Sequence, residues 1–284
     1  MEKVLVTGVA GQLGYDVVNV LNARGIACRG VDIADFDLTD EQAVLRYVRA
    51  YEPTAIVHCA AFTAVDKAEE AQEAAYAVNV LGTKHIAQAA REVNAKLMYI
   101  STDYVFGGDK EGFYDAADEK DPIGVYGKTK YEGELACMEQ TDKLFIVRLS
   151  WVFGKNGHNF VKTMLRLAQT HEEVRVVNDQ FGSPTYTPDA ARLICDMIAT
   201  EKYGAYNVAN AGYCSWCEFA AAIFKTAGLT TKAVPITTEE YGAKAKRPKN
   251  SRFSKKEITE RGFEQLPAWE DALARYLKEL EETL

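Results

Sequence analysis

The sequence predicts an α/β protein, a doubly wound parallel sheet with a smaller C-terminal α/β region. Three observations predict it. Short apolar runs alternate with longer amphipathic ones through the first half of the chain. The short runs are apolar almost without interruption, as strands covered on both faces are. The first of them leads directly into glycines spaced three apart, Gly8, Gly11 and Gly14.

In order, "KVLVTG" reads as a strand, "YDVVNVLNARG" as a helix ending at Gly25, "ACRGVDI" as a strand and "DEQAVLRYVRAYEP" as a helix stopped by Pro53. The strand "AIVHCAA" is followed by one long helix, "EAAYAVNVLGTKHIAQAAREVN", then by the strand "KLMYIST", a helix around Tyr126 and the strand "LFIVRLS". After about residue 150 the pattern loosens. Helices are expected in "HNFVKTMLRLAQTHEE", "DAARLICDMIATEK", "SWCEFAAAIFKTAG" and "AWEDALARYLKELEETL", short strands in "VRVVND" and "GAYNVAN", and a basic loop in "KAKRPKNSRFSKK". The expected division is a dinucleotide-binding domain over 1–150 and a mainly substrate-binding domain over 151–284, some segments of which return to the first. No internal repeat or low-complexity linker separates them.

The 284-residue chain can bury a full core, and its 48% hydrophobic and 26% charged residues are ordinary for a globular protein. A formal charge of -8 argues against a nucleic-acid partner while leaving room for a local basic pocket. The N-terminus enters a strand pattern without a basic leader, and no apolar run approaches the roughly 18 to 20 residues of a membrane span, so a cytoplasmic location without a membrane partner is expected. The six cysteines are scattered through apolar segments and read as reduced core residues. In "CSWC", Ser215 and Glu218 form a capping-box pattern ahead of a helix, a stronger reading of Cys214 and Cys217 than a redox pair or half a zinc site.

Glycines at 8, 11 and 14 allow a tight turn, close approach of backbone to a pyrophosphate and close helix packing, at a helix N-terminus that favours anions. Asp32, eighteen residues past Gly14, ends the second strand where an acid would accept bonds from ribose hydroxyls and repel a 2'-phosphate; nearby Arg29 could offset part of that repulsion. NADH is therefore mildly favoured over NADPH. Asp37 is either an adenine-edge contact or a loop acid before the capping sequence Thr39 to Gln42. "YISTDYVF" places Ser101, Thr102, Asp103 and Tyr104 just past the carboxyl end of a strand, where ligands sit in such sheets. Tyr126 and Lys130 lie one helical turn apart. A free phenol titrates near about 10, and an ammonium about 4 Å away at an effective dielectric of about 20 stabilises phenolate by up to roughly 4 kcal/mol, about three pKa units, with desolvation opposing. The pair is expected to be a general acid near pH 7 that needs no metal. Arg247 and Arg252 in "RPKNSR" are the natural partners for a diphosphate, and Trp151 either stacks on a sugar or thymine or belongs to the core.

Taken together, "TGVAGQLG", "CAAFTAVDKAE", "STDYVF", "YGKTK", "RLSWVFG", "NDQFGSPT" and "RPKNSRF" resemble the extended short-chain dehydrogenase/reductase family over nearly the whole chain. The resemblance implies a Rossmann-like sheet and hydride transfer from NADPH or NADH to the C4 ketone of a dTDP-linked deoxyhexulose. It implies that Tyr126 donates the proton, that Lys130 holds the nicotinamide ribose and lowers the tyrosine pKa, and that Thr102 bonds the carbonyl oxygen. By the same matching, Gly11, Gln12 and Leu13 line the pyrophosphate, Asp32, Asp37 and Leu38 the adenosine end, and Ala61, Phe62 and Thr63 the inner half of the cofactor. Asp103 and Trp151 fall at substrate positions, with Tyr104 beside them. The chain departs from the family pattern at Val9, often Thr, and at Phe62, often His. Some relatives bind magnesium at a dimer contact through acids with no located counterpart here, so no obligatory metal is expected and a homodimer stays open. Two other readings share the resemblance: an epimerase or dehydratase that retains NAD, and a non-catalytic regulatory subunit.

Overall fold

The computed structural model describes residues 2–282. β1 (Lys3–Thr7), α1 (Gln12–Ala23), β2 (Ala27–Val31), α2 (Glu41–Tyr51) and β3 (Ala55–His58) follow the expected alternation. Helix α2 is capped by Asp40, whose side chain accepts the Ala43 N–H, rather than by Thr39 as the sequence suggested.

The expected long helix over 73–94 runs without a gap through α4 (Gln72–Tyr76), a π-helical turn (Ala77–Gly82) and α5 (Thr83–Glu92), and a short α3 (Val65–Glu70) precedes it. A π turn holds one residue more than an α turn, and within it sits Asn79, fully buried. Its Oδ1 accepts the Phe62 N–H at 2.8 Å, while Nδ2 donates to the Phe62 carbonyl at 3.2 Å and to Thr129 Oγ1 at 3.1 Å. Helical periodicity carries no mark of such a long-range demand, so the sequence reads as the helix without its π turn.

β4 (Lys96–Thr102), α6 (Val125–Gln140) and β5 (Leu144–Leu149) complete the first half. The rest of the chain adds β6 (Val152–Phe153), α7 (Phe160–Ala168), β7 (Glu173–Val177), β8 (Phe181–Gly182), β9 (Thr185–Tyr186), α8 (Thr187–Ile198) and β10 (Gly204–Val208). Then come β11 (Cys214–Ser215), α9 (Trp216–Thr226), β12 (Lys232–Ile236), α10 (Thr238–Tyr241), β13 (Asn250–Ser251), α11 (Lys256–Glu260) and α12 (Trp269–Glu281).

The main sheet is parallel throughout, in the order β10-β5-β4-β3-β1-β2. The strand order reverses between β1 and β3, and such a switch point opens a crevice at the carboxyl ends of the strands. Alternate residues of each strand feed two cores. Val4, Val6, Val57 and Met98 pack with Leu13, Val17 and Leu21 of α1 and with Ile194 and Ile198 of α8. Leu5, Ile56, Leu97 and Tyr99 pack with α2, α5 and Cys137 of α6. β10 and α8, though late in sequence, thus serve the main sheet. A third core lies among α7, α9, α12, β7 and β12. Ser215 and Glu218 form both bonds of the capping box at α9, and all six cysteines are free thiols.

Among the described residues, one ion pair lies wholly inside. Glu134 of α6 and Arg148 of β5 are 1% and 2% exposed, with Nη2–Oε2 at 2.7 Å and Nε–Oε1 at 2.8 Å. The Ser101 hydroxyl donates to Glu134 Oε1 at 2.6 Å, and Arg148 Nη1 donates to the Ala116 carbonyl at 2.8 Å. Removing one partner of such a pair strands a buried charge, so Glu134→Ala is expected to lower unfolding stability by about 3–5 kcal/mol in urea titration. The double change Glu134→Leu with Arg148→Met is expected to recover most of that loss.

Candidate active site

The glycine loop is made by steric necessity. Gly8 has φ +71, and a Cβ there would lie 2.6 Å from the Ala60 backbone nitrogen; a Cβ on Gly14 would lie 2.4 Å from the Gly8 carbonyl oxygen. Gly11 is the N-cap of α1, which has no side-chain cap and no acid in its first turn. The helix N-terminus is therefore left for an anion. From the C-terminal half, Asn159 Nδ2 donates to Gln12 Oε1 at 3.0 Å, and Asn156 Nδ2 to the Ala10 carbonyl at 2.9 Å. Leu13 is corrected in one respect: its side chain is buried in the core beneath α1, so it can offer a ligand only backbone.

A cavity of about 280 Å3 opens beside the loop at the switch point, lined by Gly8, Asp32, Asp37, Leu38, Ala61 and Phe62 among others. Thr63 is exposed beyond that lining. Asp32 Oδ2 accepts the Ala10 N–H at 2.8 Å and Oδ1 the Ile33 N–H at 2.9 Å, so this acid also braces the loop. Asp37 is held below the usual carboxylate range by the backbone and hydroxyl of Thr39, both at 2.8 Å from Oδ1. Arg29 is not among the residues lining the cavity; its guanidinium lies 5.3 Å from the Tyr51 ring centroid.

The end of β4 meets the first turn of α6. Gly127 makes this approach possible, since a Cβ there would lie 2.2 Å from the Tyr104 carbonyl oxygen. Tyr126 lies beside the Thr102 side chain, whose hydroxyl donates to Asp103 Oδ1 at 3.0 Å, and its ring packs edge-on to Tyr104 at 5.4 Å. Burial pushes the Tyr126 phenol up to about 12, helped by the Asp103 charge and opposed by the Thr102 hydroxyl. Asp103, itself buried, is pushed up to about 6 by loss of water, with the Ser251 and Thr102 hydroxyls acting the other way. Burial brings Lys130 down to about 8, and its ammonium donates to the Ile100 carbonyl at 2.7 Å, 4.2 Å from the Tyr99 ring centroid. The expected lowering of the tyrosine pKa by Lys130 is thus overturned, because desolvation dominates both groups and the ammonium is engaged elsewhere.

Around this cluster the two arginines part company. Arg247 closes its fork on Asp66 of α3, with Nη2–Oδ2 at 2.6 Å and Nη1–Oδ1 at 3.1 Å, so its expected service to a diphosphate is corrected to a clasp within the chain. Arg252 has no carboxylate partner among the described residues; its Nε donates to Asn250 Oδ1 at 2.8 Å. Trp151 is half-buried at φ +48, stacked on Trp216 at 3.6 Å and packed on Gly182. The ring face on Trp216 is closed to a sugar or base. Asn79, which joins Phe62 beside the cavity to Thr129 of α6, was missed from sequence; an amide inside an apolar helical run, four residues before Thr83, was the available signal.

No group of three or more potential metal-ligating side chains occurs among the described residues, and no helix among them is long and apolar enough to cross a membrane.

A switch-point cavity under a glycine loop, in a sheet whose β4 end brings Thr102 to Tyr126 and Lys130 of α6, defines an oxidoreductase of the extended short-chain dehydrogenase/reductase class. More narrowly, the chain belongs to the family described as the RmlD substrate binding domain, whose model matches residues 1–282. It is 42% identical to a spore coat polysaccharide biosynthesis protein, SpsK, of Bacillus subtilis, over 98% of each chain. It is 39% identical to the dTDP-4-dehydrorhamnose reductase of Aggregatibacter actinomycetemcomitans, over 96% of this chain and 97% of that one. The crystal structure of the dTDP-4-dehydrorhamnose reductase of Bacillus anthracis in complex with NADP superposes with a TM-score of 0.96 at 45% identity, covering 98% of this chain and 99% of that one.

The first turn of α6 has no cap of its own. Its N-cap is Gly124, and the Val125 N–H is taken by Glu69 Oε1 of α3 at 2.9 Å. Glu69→Ala is expected to cost about 1 kcal/mol and to speed amide exchange at Val125 and Tyr126 in hydrogen-exchange mass spectrometry, whereas Glu69→Gln, which keeps an acceptor, should change little.

Proposed function

We propose that the protein is an NAD(P)H-dependent dTDP-4-dehydrorhamnose reductase, which reduces the C4 ketone of dTDP-4-dehydro-L-rhamnose to dTDP-L-rhamnose. The observation that carries this reading is the placing of Tyr126 beside the Thr102 side chain where β4 meets α6, with Lys130 buried one turn further along the helix. The bare N-terminus of α1 and the missing Cβ atoms of Gly8 and Gly14 fit a dinucleotide. When bound, the reduced nicotinamide supplies the hydride.

Every other part falls to the chain itself. With its phenol pushed up to about 12, Tyr126 stays neutral at physiological pH, the form that can give a proton to an oxygen gaining negative charge. The Thr102 hydroxyl, which donates to Asp103 Oδ1 at 3.0 Å, would turn from that carboxylate to bond the same oxygen. Lys130, charged below about pH 8, supplies a positive field beneath the cluster and a donor for a ribose hydroxyl. Asp103, beside Thr102, faces the sugar, and Arg252 meets the diphosphate.

The test is oxidation of NADH and NADPH, run in parallel, on dTDP-4-dehydro-L-rhamnose generated in situ, with a two-hydrogen mass gain in the product. Protein that binds cofactor but turns over with neither would refute the reading. A nicotinamide that survives dialysis would point to an epimerase or dehydratase.

Tyr126→Phe keeps the helix and removes the acid, so turnover is expected to fall at least about a hundredfold with little change in cofactor affinity; near-normal turnover would contradict the assignment. The pH profile carries a separate expectation. Lys130 acts as an ammonium with its pKa brought down, so its contribution is present below about pH 8 and lost above it, while Tyr126 keeps its proton. kcat/KM is expected to decline above about pH 8, and Lys130→Arg should move that alkaline limb upward. A limb that stays in place in Lys130→Arg would assign it to another group.

A further inference from the structure

The half of the substrate that does not react must be recognised too, and the Trp151 ring face that could have received its base is taken by Trp216. Two other aromatic side chains stand free near the site. Phe113 is 46% and Tyr213 48% exposed, with ring centroids 5.7 Å apart at an interplanar angle of 76°. The Arg252 guanidinium lies 5.7 Å from the Phe113 centroid and 5.3 Å from that of Tyr213. We infer that Phe113 and Tyr213, gathered about Arg252, form the platform on which the base of a nucleoside diphosphate stacks while Arg252 meets its phosphates.

Exposed aromatic rings on loops are ordinarily loose, but these are fixed from below. Asn250, buried, donates through Nδ2 to the Lys110 and Gly112 carbonyls at 2.6 and 2.9 Å, which holds the turn presenting Phe113. The same amide accepts the Arg252 backbone N–H at 3.1 Å and its Nε at 2.8 Å. On the other side, Gly212, at φ +85, sits where a Cβ would come within 2.9 Å of the Trp269 ring. The Gly212 carbonyl accepts from Ser183 Oγ at 2.8 Å and from Lys255 Nζ at 3.3 Å, so the residue before Tyr213 is pinned. Two rings and a cation held this firmly at the surface suit a flat π-system bearing negative charge.

The platform also lies within reach of the chemistry. Ser251, next in sequence to Arg252, lies beside the Asp103 carboxyl, which adjoins Thr102. Neighbouring residues are about 3.8 Å apart along the chain, so a short diphosphate bridge can join the reacting sugar to the rings. Stacking is tolerant of which base it receives. The platform accordingly secures a nucleobase as a class, and selection among bases must come from other contacts.

This inference rests on the substrate being a nucleoside diphosphate sugar, and the experiment separates the two failures. dTDP is titrated calorimetrically into the wild-type protein and into Tyr213→Phe, Tyr213→Leu and Phe113→Leu, with NADPH affinity and thermal melting as controls of folding. Each leucine variant, which keeps apolar bulk beside Arg252 but loses the π-face, is expected to bind dTDP roughly tenfold more weakly. Tyr213→Phe should stay within about twofold of wild type. Wild-type affinity in both leucine variants, or equal loss in Tyr213→Phe and Tyr213→Leu, overturns the platform. Failure of the wild-type protein to bind dTDP at all overturns the substrate reading beneath it.

Discussion

The buried pairing of Glu134 with Arg148 sets how α6 lies on the sheet. Tyr126, Lys130 and Glu134 are spaced four apart and share one stripe of the helix. Because Glu134 is bound beneath the helix by Arg148 and Ser101, the stripe that carries it must face inward. Tyr126 is thereby turned toward Thr102 and Lys130 toward Ile100. A buried ion pair is a weak source of net stability compared with an apolar substitute. Its use here is geometric: one rotation of α6 satisfies both charges, and that rotation assembles the cluster.

The same burial that makes the pair costly gives the cluster its electrostatics. Loss of water disfavours charge on every group, pushing the Tyr126 phenol and Asp103 carboxyl up and the Lys130 ammonium down. That suits the donor role proposed for Tyr126 in the reductive direction, since a neutral phenol still holds its proton. Ionisation of the phenol ahead of the reaction is not required.

Helix α3 joins the cluster to the second part of the chain. Asp66 holds Arg247 and the Ala245 N–H, Glu69 caps α6, and Glu70 pairs with Lys244. The last pair is exposed and contributes little to stability. Asp66 and Glu69 bond to partially buried groups and fix two approaches at once: the helix bearing Tyr126 and the segment leading to Arg252. The acidic run "VDKAEE" therefore works as a junction, although nothing in its local pattern distinguishes it from an ordinary solvated helix face.

The strand alternation, the glycine loop and the Tyr126–Lys130 spacing were legible in the sequence because each is local: a period of two or 3.6, a missing Cβ, one helical turn. The resemblance carried by "STDYVF", "YGKTK" and "NDQFGSPT" placed the same residues in one family. What the sequence left open depends on partners far along the chain. Arg247 and Arg252 look alike in "RPKNSR", yet Asp66, 181 residues away from Arg247, occupies one fork and leaves the other free. The π turn around Asn79 answers to Phe62 and Thr129, and the rings of Phe113 and Tyr213 meet only because Asn250 and Gly212 hold their separate turns. By itself the sequence determined the sheet, the glycine loop and the one-turn spacing of Tyr126 and Lys130. The tertiary structure decided which charges are already neutralised, which ring faces are covered and which way each pKa moves, because those depend on desolvation and long-range pairing that no local spacing encodes.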